Sequence, residues 1–427
     1  MLGLTNWNKV DRKNIWHPFS PLAGTDPLMV NSAKGIYLHL KNGRKVMDAI
    51  SSWWVNIHGH ANPKIASAIG KQAHTLEQVI FAGFTHKPAA VLSKSLLKLL
   101  PSDQSKLFFS DDGSTSVEVA LKLAIHYWKN KGVARKQLIA LEGAYHGDTF
   151  GSMSVGSRGI FSDPYAPYLF DVTFVPFPVG NGQNTIDAMK AAVSDNTAAF
   201  IFEPLVQGAS GMRMYSAKVL DELVSIVKKA GGLCIADEVM TGFGRTGKVF
   251  ACDHLKNKPD LFCLSKGITG GFLPMGVTSV NEKVVKAFSA EEVEKIFFHG
   301  HSYTANPLAC AAANASMKIL LGSRTKSSIA RITNRHLDFM KVFKAPESVA
   351  DVRACGTILA IELKVDDAGY TSGIKDKIYK FFMERDILLR PLGNVIYVLP
   401  PYIITDVQLE RIYSAIREFL VETEKVG

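Results

Sequence analysis

Between residues 61 and 310 the chain alternates amphipathic, helix-length runs with short apolar stretches. The stretches at 106–110, 137–141, 172–175, 198–202, 233–236 and 261–264 are too short for buried helices, so each predicts a strand. Runs such as 221–230 place apolar residues three and four apart, and Gly231-Gly232 behind that run supplies a helix stop. Most of the strands are apolar throughout rather than at alternate positions. They therefore predict a mostly parallel sheet covered on both faces, an α/β fold. Ahead of this region, 36–40 and 44–48 flank Lys41-Asn42-Gly43, and Asn-Gly is a strong hairpin signal. After about residue 310 an Ala-rich helical run leads into a second α/β segment and a last amphipathic helix. The division expected is a large domain over 61–310 and a smaller one built from 1–60 plus 311–427.

Composition narrows the classes. With 427 residues, 47% of them hydrophobic, the chain can bury a core of two domains. No period of 20–50 residues marks a repeat protein. The net charge of +10 comes from scattered lysines rather than a basic stripe, which suits anion steering or solubility better than a nucleic-acid surface. The five cysteines are odd in number and form no CxxC pair, so they read as reduced packing residues. There is no apolar signal core at the start and no uncharged apolar run of about 18 residues. A soluble, cytoplasmic protein with neither a membrane nor a nucleic-acid partner is expected.

Chemistry gathers at the strand ends, where parallel sheets bind their ligands. Lys266 ends one apolar run and Asp237 another. A lysine drawn out of water loses charge readily, and its neutral amine can form a Schiff base with an aldehyde cofactor or a carbonyl substrate. An acid such as Asp237 is what a pyridinium nitrogen requires, so the pair points to pyridoxal phosphate (PLP). Ser110-Asp-Asp-Gly113-Ser114 turns from a strand into a helix whose backbone N–H groups suit a phosphate, although an ordinary N-cap gives the same pattern. Tyr145, after the next strand, either stacks on a planar cofactor or packs on the core. Glu203 has a structural or a site role. Gly242-Phe-Gly244-Arg-Thr-Gly247 matches GxGxxG, but no long helix follows and the acid expected about 20 residues on is missing, so a dinucleotide site is rejected. His58-Gly-His60 and His299-Gly-His301 raise a metal-dependent hydrolase as the rival class. That rival leaves Asp237 and the Gly-Ser turn without a task, so these histidines are read as structural or substrate-lining and no metal is expected.

At this point the chain resembles the class III, PLP-dependent aminotransferases of fold type I. Asp237-Glu-Val-Met-Thr-Gly-Phe-Gly-Arg-Thr-Gly247 and Ser265-Lys266-Gly267-Ile-Thr-Gly-Gly271 carry the likeness, which spans almost the whole chain. Ile15-Trp-His-Pro-Phe19, the run ending in Trp53-Trp54, Tyr145-His-Gly-Asp148 and Arg390-Pro-Leu-Gly-Asn narrow it. They are similar to the branch that aminates 8-amino-7-oxononanoate in biotin biosynthesis. The resemblance implies that Lys266 holds PLP and moves the substrate proton, while Asp237 keeps the ring nitrogen protonated. Gly113 and Ser114 would bind the phosphate, and Tyr145 would cover the ring. His301 and Ser302 would reach the phosphate of a partner subunit, which implies a homodimer. Trp53, Tyr145, Gly300 and Arg390 match substrate-contacting positions, with Phe19 and Trp54 beside them, and Asp148 matches the position that recognises the substrate amine. A substrate that is an alkyl chain ending in a carboxylate suits aromatic walls and a guanidinium clamp. Two departures stand out: Phe19 where adenosylmethionine-using members carry tyrosine, and His299-Gly-His301-Ser302 where they carry His-Gly-Pro-Thr. The donor is left open between adenosylmethionine, taken first, and lysine or another amine. A different ω-amine or diamine aminotransferase is the alternative within the family.

Overall fold

The computed structural model describes residues 6–23, 27–289 and 292–424. Its largest sheet has seven strands in the spatial order Gln104–Ser110, Gly276–Asn281, Leu261–Leu264, Leu233–Asp237, Thr197–Phe202, Gln137–Leu141 and Thr173–Val175. Six of these run parallel, and Gly276–Asn281 runs antiparallel to both of its neighbours. That antiparallel strand is an addition to the six strands expected from the sequence.

Alternate residues of the central strands feed two separate cores. Cys234, Ala236, Phe200, Phe202, Phe262 and Leu264 face one core. Leu233, Ile235, Ala199, Ile201, Leu261 and Cys263 face the other. This two-sided burial is why the strands read as apolar throughout. Helix Ala217–Lys229 closes the first face with Leu220, Leu223, Val224 and Val227, each worth about 1.5–3 kcal/mol relative to exposure. Helix Gly113–Asn130 closes the second with Val117, Leu121, Ala124 and Trp128.

The hairpin forms between Tyr37–Leu40 and Lys45–Asp48, with Tyr37 opposite Met47 and Gly43 supplying the left-handed turn at φ 86°. Strand Lys45–Asp48 then pairs in parallel with Ile387–Leu388, which brings the two ends of the chain together. A further antiparallel sheet joins Val349–Cys355, Ile358–Leu363 and Val395–Val398. No helix among the described residues is long and apolar enough to cross a membrane.

Candidate active site

Because the strands ending at Ser110, Leu141, Phe202, Asp237 and Leu264 run parallel, the residues that follow them meet at one sheet edge. There they surround a cavity of about 600 Å³, lined among others by Trp53, Trp54, Gly113, Ser114, Tyr145, His146, Glu203, Asp237 and Lys266. Lys266 follows its strand after one residue and adopts a left-handed backbone, φ 44°. For a residue with a side chain such a conformation costs about 1–3 kcal/mol and needs support from its surroundings. The Lys266 Nζ lies 4.8 Å from the Trp54 ring centroid, with no hydrogen-bond partner among the described residues. Burial lowers the amine's pKa, and the nearby charges of Asp237 and Glu203 offset this only in part. The amine therefore loses its proton more easily than a surface lysine does, as a nucleophile requires.

Asp237 is clamped at both oxygens. Its Oδ1 accepts the Val239 N–H at 3.0 Å, and its Oδ2 accepts from His146 Nδ1 at 2.7 Å. The histidine is buried and its Nε2 has no partner. Glu203 accepts the Tyr145 N–H at 3.1 Å on one oxygen and the Gly208 N–H at 2.9 Å on the other. Burial pushes its pKa up to about 7 despite these bonds. Burial and the neighbouring carboxylate charges raise the Tyr145 phenol well above its ordinary value, so it remains a hydroxyl donor. The helix that begins at Gly113 is capped by Asp112. The Asp112 side chain accepts the Thr115 N–H at 2.8 Å, and Thr115 Oγ1 accepts the Asp112 N–H at 3.0 Å. The Gly113 and Ser114 N–H groups are left without partners among the described residues.

These residues fit a flat, anionic, aldehyde-bearing cofactor. An unpaired, half-buried amine, an ordered carboxylate and a helix N-terminus with open N–H groups share one cavity. Glycine is required beside it. A Cβ on Gly113 would lie 2.7 Å from Val239 Cγ1, and one on Gly147, at φ 128°, would lie 2.1 Å from Ser114 Oγ.

The rim is aromatic. Phe19 lies 5.3 Å from Trp53 between ring centroids, and the exposed Arg390 guanidinium lies 5.1 Å from the Trp53 centroid. Asp148 lies on a smaller adjoining cavity that also touches Tyr145, and its N–H donates to Ser114 Oγ at 3.2 Å. Gly300, His301 and Ser302 do not line the cavity of this chain. The Ser302 carbonyl accepts from Gln78 at 2.6 Å, and His301 Nδ1 accepts the Tyr303 N–H at 3.2 Å. The paired histidines are turned to separate neighbours: His58 to Ser316 at 3.1 Å, His60 to Asp48 at 2.8 Å and His299 to Lys122 at 2.9 Å. Among the described residues no three His, Cys, Asp or Glu side chains are grouped to hold a metal ion. Sequence reasoning gave no role to His146, although it lies inside the Tyr145-His-Gly motif, or to Phe161 and Tyr370 at the rim. A histidine five residues past the end of strand Gln137–Leu141 was the only signal available for the first.

The family profile described as aminotransferase class-III matches residues 21–420, and the chain belongs to the class III aminotransferases. Among its relatives is the adenosylmethionine-8-amino-7-oxononanoate aminotransferase of Synechococcus elongatus, 48% identical over 96% of this chain and 99% of the relative. A crystal structure of the enzyme of that name from Methanocaldococcus jannaschii superposes with a TM-score of 0.91 at 33% identity, covering 97% of this chain and 98% of the other. An amine transaminase from an uncultivated Pseudomonas species, solved in its PLP-bound form, gives a TM-score of 0.89 at 27% identity, covering 96% and 98%.

Proposed function

We propose that this chain is the PLP-dependent transaminase that passes an amino group to the 7-keto carbon of 8-amino-7-oxononanoate, giving 7,8-diaminononanoate for biotin synthesis. The observation that carries this reading is the unpaired, desolvated Lys266 amine in one cavity with the doubly clamped Asp237. When bound, PLP supplies an aldehyde for the migrating amino group and a ring that accepts electrons from the substrate carbon. Lys266 Nζ would hold the cofactor through its aldehyde and, when free, would carry the proton to and from the substrate carbon. Asp237 holds the proton on the ring nitrogen. The Gly113 and Ser114 N–H groups bind the phosphate, and Tyr145 covers the ring. Arg390 receives the substrate carboxylate, Trp53, Trp54 and Phe19 pack along its alkyl chain, and Asp148 takes the amino group. Adenosylmethionine is the first donor to test and lysine the second, because Phe19 has no hydroxyl to offer a polar donor.

On this reading the enzyme works in the cytoplasm as a homodimer, with Gly300, His301 and Ser302 completing the partner's cavity. The exposed side chains of Ile80, Phe84, Phe298 and Tyr303 support that arrangement, because an apolar surface beside this segment favours a covering partner. An absorbance experiment tests the function. Purified protein supplied with PLP is expected to show a violet band that borohydride removes, and the Lys266→Ala variant should lack both the band and turnover. Single-turnover bleaching by adenosylmethionine or lysine, followed by recovery with 8-amino-7-oxononanoate, identifies donor and acceptor. Recovery only with aldehydes or short ω-oxo acids would instead assign a general ω-amine transaminase, and persistent turnover by Lys266→Ala would refute the mechanism.

A further inference from the structure

We infer that Phe161 is a specificity-determining residue, closing an aromatic arc over the cavity mouth that selects acceptors with a long apolar chain. The inference rests on the transaminase reading above and names a wall of the smaller adjoining cavity, which Phe161 lines together with Tyr145 and Asp148. Trp53 and Tyr145 both line the cavity but come from segments far apart in the chain. Three edge-on or tilted ring contacts connect them: Trp53 to Phe19 at 5.3 Å, Phe19 to Phe161 at 6.0 Å, and Phe161 to Tyr145 at 6.3 Å. The arc thus begins and ends on cavity-lining residues, and Phe161 is the link that closes it. Tyr370, from the C-terminal part of the chain, backs the Phe161 ring at 4.7 Å. These separations fall in the range where edge-to-face aromatic pairs attract.

The segment that carries Phe161 is pinned. Arg158 Nη1 donates to the carbonyls of Met153 (3.1 Å), Ser154 (2.9 Å) and Gly156 (3.1 Å), and its Nη2 donates to Phe170 (3.2 Å). The Gly159 N–H donates to Ser162 Oγ at 3.0 Å, and the Asp163 N–H to the Gly159 carbonyl at 2.8 Å. A ring held this way gives fixed apolar surface. Arg390 stands over Trp53 at the start of the arc. A chain with its carboxylate on Arg390 and its reacting carbon near Lys266 therefore lays its methylenes along the arc. Each methylene taken out of water is worth roughly a fourfold gain in binding.

The experiment measures dissociation constants for butanoate, hexanoate, octanoate and nonanoate by calorimetry on the PLP-loaded protein, alongside kcat/KM for 8-amino-7-oxononanoate. Wild type is expected to bind more tightly with each added carbon. Phe161→Ala should flatten that slope, weakening nonanoate by about tenfold and raising the acceptor KM by a similar factor, while butanoate changes little. Phe161→Leu should recover part of the slope, and unchanged melting temperatures would show that both variants are folded. Equal weakening of all four acids, or a wild type with no chain-length dependence, overturns the assignment of Phe161 while leaving the transaminase intact. A wild type that binds PLP but never aminates 8-amino-7-oxononanoate overturns the proposed function, and with it this refinement.

Discussion

Lys266 carries two local costs, a left-handed backbone and an amine held away from water. The second has a calculable sign. Its folded-state pKa lies below the 10.5 of an unfolded lysine, so between those values the unfolded chain binds more protons. Stability then rises with pH through that window, and the penalty is present in full below the folded-state pKa. In protein without cofactor, Lys266→Met should therefore raise the melting temperature at pH 7, with the gain shrinking as pH approaches 10.5. Scanning calorimetry of both proteins over that range checks it, and a gain independent of pH would mean that desolvation of the amine is not the cause. The neighbouring His146 offers a sharper test. His146→Phe keeps a ring but removes the donor to Asp237, whereas His146→Asn keeps a donor and loses volume. A hydrogen bond to a charged group is worth about 1.5–3 kcal/mol, so the Asn variant should retain PLP at least tenfold more tightly than Phe in equilibrium dialysis. The opposite order would make His146 a packing residue. Lys266, Asp237 and Tyr145 could be picked out in the sequence because each follows or ends an apolar strand. The role of His146 could not, because its partner lies 91 residues away.

At the scale of elements, the helix that starts the phosphate-suited turn depends on its cap. Asp112→Ala removes the side-chain acceptor of the Thr115 N–H and should cost about 1 kcal/mol. Urea unfolding should show a lower midpoint with an unchanged slope, and an unmoved midpoint would show that the capping box adds nothing here. Strands and helices with sustained apolar patterns were legible along the sequence, as was the Asn-Gly hairpin. Gly276–Asn281 was not, for a physical reason. Its six residues are all buried, yet several are polar. Thr278 Oγ1 donates to the Ser116 carbonyl at 2.7 Å, and Ser279 Oγ to Gln104 Oε1 at 2.7 Å. Hydroxyls satisfied by partners on other elements can be buried without looking buried in the sequence.

For the whole molecule, Arg245 shows how distant segments hold the cavity wall. Fully buried within the motif that mimics a dinucleotide loop, it donates to the Pro400 carbonyl at 2.9 Å and the Trp54 carbonyl at 3.1 Å. Arg245→Met would strip both carbonyls of a donor, at about 1–3 kcal/mol each, partly offset by relief of the buried charge. A lower urea midpoint and weaker PLP retention are expected together, since Trp54 lies beneath Lys266. A lower midpoint with full PLP retention would confine Arg245 to stability. The sequence alone determined where strands end and which chemistry-bearing side chains follow them, because burial and turn geometry are written in local patterns of residues. Only the tertiary structure decided which of those side chains meet. It set the His146 clamp on Asp237, the stitch made by Arg245 and the arc through Phe19 and Phe161. Such contacts form between segments brought together by packing, and nothing in the spacing along a chain records them.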